Sequence, residues 1–234
     1  MNFSFSFLLT ALRAGAAQIP VTLAAALIPL LIALVPGLLI ALARFFRVRV
    51  LGRLCRWLVT VVKGIPVLLI LMVFYLFCAL NFDPLMRALG LPFTFRQTDK
   101  LWIAAASLSI YAAVGLSEAF RGALESVARG QFDAAYAMGL SPAQTLMRIV
   151  LPQALPVSLP IICNILVMLV KAAAIASLVG VIDVMNGAVI AAAGSYRFLE
   201  AYAAAALIYW ALCFTIERAF RWMESRFARQ KETP

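Results

Sequence analysis

Histidine is absent from this chain, and with it the side chain that most often carries protons near neutral pH or binds a metal. Carboxylates are scarce as well: ten Asp and Glu stand against twenty Lys and Arg in 234 residues. No acids pair within an apolar run, so the constellation an intramembrane enzyme needs cannot be assembled. The four cysteines, Cys55, Cys78, Cys163 and Cys213, are isolated in or beside apolar runs without Cys-x-x-Cys spacing, which makes them reduced packing residues rather than disulfide or zinc ligands. No lysine precedes Ser or Thr; the four are followed by Gly64, Leu101, Ala172 and Glu232, so a phosphate-binding loop is missing and ATP hydrolysis by that route is excluded. Nor is there a second copy of any half, as many secondary carriers have. These absences describe a chain that is not itself catalytic and holds no metal or cofactor of its own.

What the chain has in excess is apolar length. It is 65% hydrophobic and 13% charged, with a mean hydropathy of +1.00, whereas soluble domains are about half apolar and a quarter charged. The reading is an all-α integral membrane protein. Uncharged runs place five spans, at Ala14 to Ala43, Gly64 to Phe82, Leu101 to Ser117, Ile149 to Val170 and Ala201 to Ile216. A crossing needs about 20 residues, so the second is expected to start near Trp57 and the fifth to reach Trp222. A weaker sixth run, from Ala172 through Ile182 to Gly194, is interrupted by Asp183, Asn186, Gly187 and Gly194 and is read as the end of the fourth helix plus a loop.

Fourteen of the twenty cations fall in three places: Arg44, Arg47, Arg49, Arg53, Arg56 and Lys63 after the first span, Arg121, Arg129 and Arg148 between the third and fourth, and Arg218, Arg221, Arg226, Arg229 and Lys231 in the tail. The positive-inside rule then puts the loop between spans three and four and the C-terminus in the cytoplasm and the N-terminus outside. The net charge of +10 borders apolar spans and forms no groove with interleaved stacking residues, so anionic lipid headgroups, not nucleic acid, are its partners. In the tail, Glu217 and Arg221 are spaced to pair, and Phe220, Met223 and Phe227 share a face that either lies on the membrane or ends a solvated helix. The first residues, Met1 to Phe7, lack the basic region of a signal peptide and read as an elbow on the outer leaflet.

The stretch from Asp133 to Pro152 is polar and lies between membrane-grade runs. Asp133 to Met138 form a small-residue helical turn with an acid at its favourable N-terminal end. Gly139 stops it, and Ser141, Pro142 and Gln144 stand as N-cap, N1 and N3 of a second helix. Pro152 is expected to end or kink that helix at Leu151, holding a short helix out from the bilayer where a soluble partner can read it.

This segment resembles the EAA loop of ABC importer permeases, whose pattern is Glu-Ala-Ala, a Gly six residues after the Glu, then Ile-x-Leu-Pro. The chain has Asp133, Ala134 and Ala135, then Gly139, then Ile149 to Pro152, with Asp133 in place of the Glu. Glu118 to Gly122, Ser126 to Phe132 and Leu151 to Ala154 are similar to the polar amino-acid branch of these permeases, and the likeness runs from Gly15 to Arg221. It implies a type I ABC importer-like transmembrane domain at 17–222, a coupling loop at 121–152, an N-terminal interfacial segment at 1–16 and a tail at 223–234. It further implies a second permease subunit, identical or different, two separate ATPases holding ATP and Mg, and an extracytoplasmic solute-binding protein. Closure of the ATPases would draw the paired loops together and rock the bundles between inward-facing and outward-facing states. The residues implied for coupling are Asp133, Ala134, Ala135, Gly139, Leu140, Ser141, Arg148, Leu151 and Pro152.

Two departures from that pattern affect the solute site. Lys63-Gly64-Ile65-Pro66 stands where the family often has Arg-Gly-Thr-Pro, with Pro66 read as a kink that serves either the pathway or packing. Lys171 to Ile175 reads Lys-Ala-Ala-Ala-Ile where related permeases often read Lys-Asp-Thr-Ser-Leu, keeping the cation and losing the carboxylate and hydroxyls. A less polar solute, a site on the partner subunit and a site elsewhere all remain open. Lys171 and Asp183 are the ionisable candidates at membrane depth, with Asn164 seven residues before Lys171 on the same helical face. Lys171 alternatively snorkels at the outer interface, and Asp183 alternatively caps a loop. Glu118 and Arg121 read as a helix-end ion pair.

Overall fold

A computed structural model describes residues 3–231, with side chains through Arg226; Met1, Asn2 and the side chains of Phe227, Arg229 and Lys231 lie outside the described residues. The chain forms helices α1 (Phe5–Ala16), α2 (Ile19–Phe45), α3 (Leu51–Gly64), α4 (Val67–Ala88), α5 (Lys100–Glu125), α6 (Arg129–Ala137), α7 (Pro142–Thr145), α8 (Leu151–Ala176), α9 (Val184–Ala192) and α10 (Phe198–Lys231). Five of these stretches are long and apolar enough to cross a membrane: α2, α4, α5, the run Pro142–Val179, and α10 from Phe198 to Arg226. The number of spans agrees with the hydropathy, as does the place of each except the start of the second.

The central helix is α5. Most of its alanines and serines, Ala104, Ala105, Ser107, Ala112 and Ala119 among them, are buried, so neighbouring backbones come close, as small residues allow where lipid offers no hydrophobic push between helices. The tightest approach is at Gly37 of α2, where a Cβ would stand 2.7 Å from Leu116 Cβ and 3.1 Å from the Ala113 carbonyl oxygen. Helix α8 packs against both α5 and α2 through Cys163, Leu166, Leu169 and Val170, so the three helices share one core.

The second span does not begin near Trp57. Helix α3 is a separate element that stops at Gly64; Ile65 is extended (φ −99°, ψ 128°) and Pro66 (φ −56°, ψ 136°) is the N-cap of α4. Pro66 therefore breaks the chain between two helices instead of kinking one, because at a helix start its missing N–H leaves no carbonyl unpaired. Most of α3 faces outward, with Trp57 70% exposed.

Pro152 also acts differently from expectation. Leu151 keeps helical angles (φ −60°, ψ −44°), and its N–H reaches the Leu146 carbonyl through one wide turn over Leu146–Val150. Such a π-turn makes room for the proline ring against the preceding turn and leaves the helix unbroken. Thus α7 is not a free-standing helix held off the bilayer but the foot of a continuous 38-residue helix, Pro142–Val179.

Beyond α8, a single 3₁₀ turn (Ser177–Val179) ends at Gly180 (φ +94°). The following segment is not a loop: Asp183 N-caps α9, accepting from Asn186 N–H at 2.9 Å. The apparent breakers fit because Asn186 bonds back to the Val181 carbonyl at 3.3 Å. Gly187 lets α9 pass α1 so closely that a Cβ would sit 3.0 Å from the Ala14 carbonyl oxygen. Helix α1 packs with α9 and α10 around Ala11, Ala188, Ala192, Ala201 and Ala204, all fully buried. Ser4 N–H donates to Glu200 at 3.0 Å, and Arg197 pairs with the same carboxylate at 3.0 Å.

Candidate functional site

The loop between α5 and α8 is built almost entirely from its own residues. Helix α6 begins at Arg129, earlier than expected, because Ala128 starts it without a side-chain cap. Asp133 therefore lies a full turn inside the helix and not at its positive end, and its side chain is exposed. Gly139 (φ +78°) closes α6: its N–H donates to the Tyr136 carbonyl at 2.9 Å, and Leu140 N–H to the Ala135 carbonyl at 3.1 Å. These are the two bonds of a Schellman stop. Ser141 then caps α7 reciprocally, with Gln144 N–H to Ser141 Oγ at 3.3 Å and Ser141 N–H to Gln144 Oε1 at 2.9 Å.

Within the loop, Ala135 is buried, Leu140 and Leu151 are half-buried, and Ala134, Ser141, Arg148 and Pro152 are exposed. Three large apolar side chains also face outward: Tyr136 (45%), Met138 (82%) and Met147 (64%). Behind them Leu124, Val127, Val150 and Ala154 form a separate buried cluster that anchors the loop to the bundle. The arrangement is a firm platform with an adaptable apolar surface, of the kind Met-rich docking faces provide.

Glu118 is more than half of a helix-end pair. It lies 3.0 Å from Arg121, 3.0 Å from Arg44 of α2 and 3.8 Å from Lys63 of α3, while Arg121 also holds Glu125 at 2.7 Å. The network ties three helices together at the loop end. Arg44 and Lys63 were legible only as part of a cationic stretch, since their common partner lies in another helix.

Asn164 and Lys171 share one exposed stripe of α8 with Ile161 and Met168. Lys171 opens into a groove of about 340 Å³ against α10, formed with Tyr209, Trp210, Cys213, Phe214 and Glu217. Cys213 stands fifteen residues into α10, about 22 Å along it at 1.5 Å per residue. Ala172 and Ala173 point into the core, at 5% and 0% exposure, so they are packing residues and not part of the groove wall. Glu217 was missed: the sequence paired it with Arg221, 3.8 Å away, although it is the charge that ends the fifth uncharged run and shares a helical face with Tyr209 and Cys213.

The other two candidates lie elsewhere. Pro66 is at the loop-side start of α4. Asp183 is fully buried; it accepts from the Tyr209 hydroxyl and from Asn186 N–H, beside Val184 N–H, which donates to Thr22 Oγ1 at 3.0 Å. Together these bonds fasten α9 to α10 through Asp183 and to α2 through Val184. Tyr209 thus belongs to both places, its ring in the Lys171 groove and its hydroxyl on Asp183.

Residues 33–229 match the family described as binding-protein-dependent transport system inner membrane component. The probable amino-acid ABC transporter permease PatM of Vibrio harveyi is 29% identical over 229 residues, covering 97% of both chains. The L-cystine transport system permease TcyL of Bacillus subtilis (strain 168) is 31% identical, over 92% of this chain and 87% of the relative. Among solved structures, an amino acid ABC transporter crystallised with histidines superposes with a TM-score of 0.80 at 23% identity, over 97% of this chain and 100% of the other. An inward-facing MetNI methionine ABC transporter gives 0.65 at 20% identity, over 97% and 99%.

Proposed function

The chain belongs to the family of binding-protein-dependent transport system inner membrane components, and from that premise we propose that this multi-pass permease of an ABC importer carries amino acids or close relatives. Its chemistry is movement of solute, not bond breaking; ATP and Mg²⁺ belong to separate ATPase subunits, expected as a pair, with a second permease subunit and an extracytoplasmic binding protein completing the assembly. Among its relatives are permeases named for amino-acid, cystine and glutamine transport.

The observation that carries the coupling role is the self-capped loop with Tyr136, Met138 and Met147 turned outward, a short helical face suited to a partner's groove. Asp133, Ala134, Gly139, Leu140, Ser141, Arg148, Leu151 and Pro152 shape or border that face, and Ala135 roots it. The loop faces the cytoplasm in this reading, with the N-terminus outside. A variant whose only cysteine is Cys55 in α3 is then modified by an impermeant thiol reagent only after cells are permeabilised; modification in intact cells reverses the orientation.

For the solute, the groove offers Lys171 and Glu217 together. A cation and a carboxylate facing one space complement the two charged ends of an amino acid, and such contacts strengthen where water is excluded. The loss of the Asp-Thr-Ser triplet does not weaken this reading, because two of the three alanines that replace it are buried. The deciding experiment purifies the chain with its ATPase and binding protein and measures which solute raises ATP hydrolysis. Amino acids should do so, and Lys171→Met should lower their transport while assembly with the ATPase persists. Parental transport by that variant moves the solute site elsewhere.

A further inference from the structure

Two hollows meet at Leu124, where α2, α5 and α8 approach the loop. One, about 550 Å³, is walled by Arg44, Arg47 and Arg129 with Phe45 and Phe132. The other is an almost wholly apolar groove of about 290 Å³, walled by Leu34, Leu38, Phe120, Ala154 and Leu155 among others. Its rim lies on helices that cross the membrane and is open outward, with Val35 66%, Leu39 60% and Leu155 52% exposed.

The charges of the first hollow are not internally matched. Its acid, Glu125, is held from the side by Arg121 at 2.7 Å. Arg47 and Arg129 make no ion pair among the described residues, and Arg44, which spends one nitrogen on Glu118, keeps a buried Nε with no partner. Guanidinium groups so placed select planar or tetrahedral oxyanions. A free anion would leave the adjoining apolar groove unused, whereas a phospholipid has both parts in the right order.

We propose that this composite hollow binds one anionic phospholipid from the leaflet on the loop side, its phosphate among Arg44, Arg47 and Arg129 and an acyl chain along the groove. Basic hollows between membrane helices take such headgroups. Because Arg129 opens α6 while Arg44 ends α2, the bound headgroup ties the loop to the membrane bundle.

The test uses the assembled transporter exchanged into phosphatidylcholine vesicles containing phosphatidylglycerol, then re-extracted and weighed by native mass spectrometry. The parental complex should retain phosphatidylglycerol. Arg47→Gln with Arg129→Gln should retain about thirtyfold less, at a factor of about five per surface cation, and the corresponding double Lys variant should recover most of it. Leu155→Trp keeps every cation but fills the groove, and should lose retention too. Undiminished retention in the double Gln variant overturns the headgroup site, and undiminished retention in Leu155→Trp overturns the chain site. Displacement of the lipid by soluble glycerol phosphate would show that a free anion suffices and also overturns the proposal. Retention is read without transport, so it stands or falls independently of the solute.

Discussion

The two ends of the bundle are stabilised in opposite ways. At the loop end, α6 and α7 are closed by bonds spanning three to five residues, between Gly139 and Tyr136, Leu140 and Ala135, Ser141 and Gln144. At the other end, α9 is held by partners far away in sequence: Thr22 on Val184, Tyr209 on Asp183, and the backbone of α1 against Gly187. A segment that carries its own bonds keeps its shape when its neighbours move, as a part that meets another protein must. One that borrows its bonds from three helices locks those helices together. Damage should therefore be local at the first end and global at the second.

Asp183→Ala tests this most severely. It strands the Tyr209 hydroxyl and the Asn186 N–H inside the bundle, and unpaired buried groups cost about 1–3 kcal/mol each, so thermal unfolding in detergent should reveal a loss of about 3 kcal/mol. A midpoint within a degree of the parent would remove α9 as a lock. Next is Gly187→Val, whose Cβ would meet Gln18 Cγ at 2.7 Å and the Ala14 carbonyl at 3.0 Å; overpacking of this kind costs about 1–3 kcal/mol. Gly139→Val has open space around it and strains only the left-handed turn, by about 1–2 kcal/mol. The exposed turn has room to give way without carrying that strain into the bundle, so the unfolding midpoint should stay within about a degree of the parent while pull-down of the ATPase fails; a lowered midpoint with intact pull-down would reverse the comparison. Asp133→Ala comes last. An exposed side chain without an ion pair should shift stability by less than about 0.5 kcal/mol, leaving ATPase affinity as the measurement that registers it.

The same contrast governs what could be read from the chain. The spans follow from uncharged length, and the Gly139 stop and the Ser141–Gln144 box follow from residues three to five apart, so both were legible. The start of α6 was not, because Ala128 supplies no capping side chain and Arg129 to Phe132 carry no apolar period. Asp183, Asn186 and Gly187 looked like breakers, although Asp183 and Asn186 close the start of α9 through near neighbours; hidden from the chain was the packing that fixes the helix in place, Thr22 on Val184 and the backbone at Ala14 against Gly187, more than 160 residues away in sequence. The Lys171 and Asn164 stripe was visible from spacing on one helix. Its carboxylate counterpart Glu217 was not, because that neighbour depends on how α8 lies against α10.

Three prolines punctuate the continuous helix from loop to groove: Pro152, Pro156 and Pro160. Four residues apart, they fall on one face, and each deprives the carbonyl one turn earlier of its N–H partner. Stiffness is thereby unequal around the axis, lowest for bending that opens the proline face. From Pro142 to Lys171 the helix runs about 43 Å, so a swing of about 5° at its foot moves the groove end by roughly 4 Å. The spacing of the prolines sets the plane of that swing, which gives the rod a grain before any partner pushes on it.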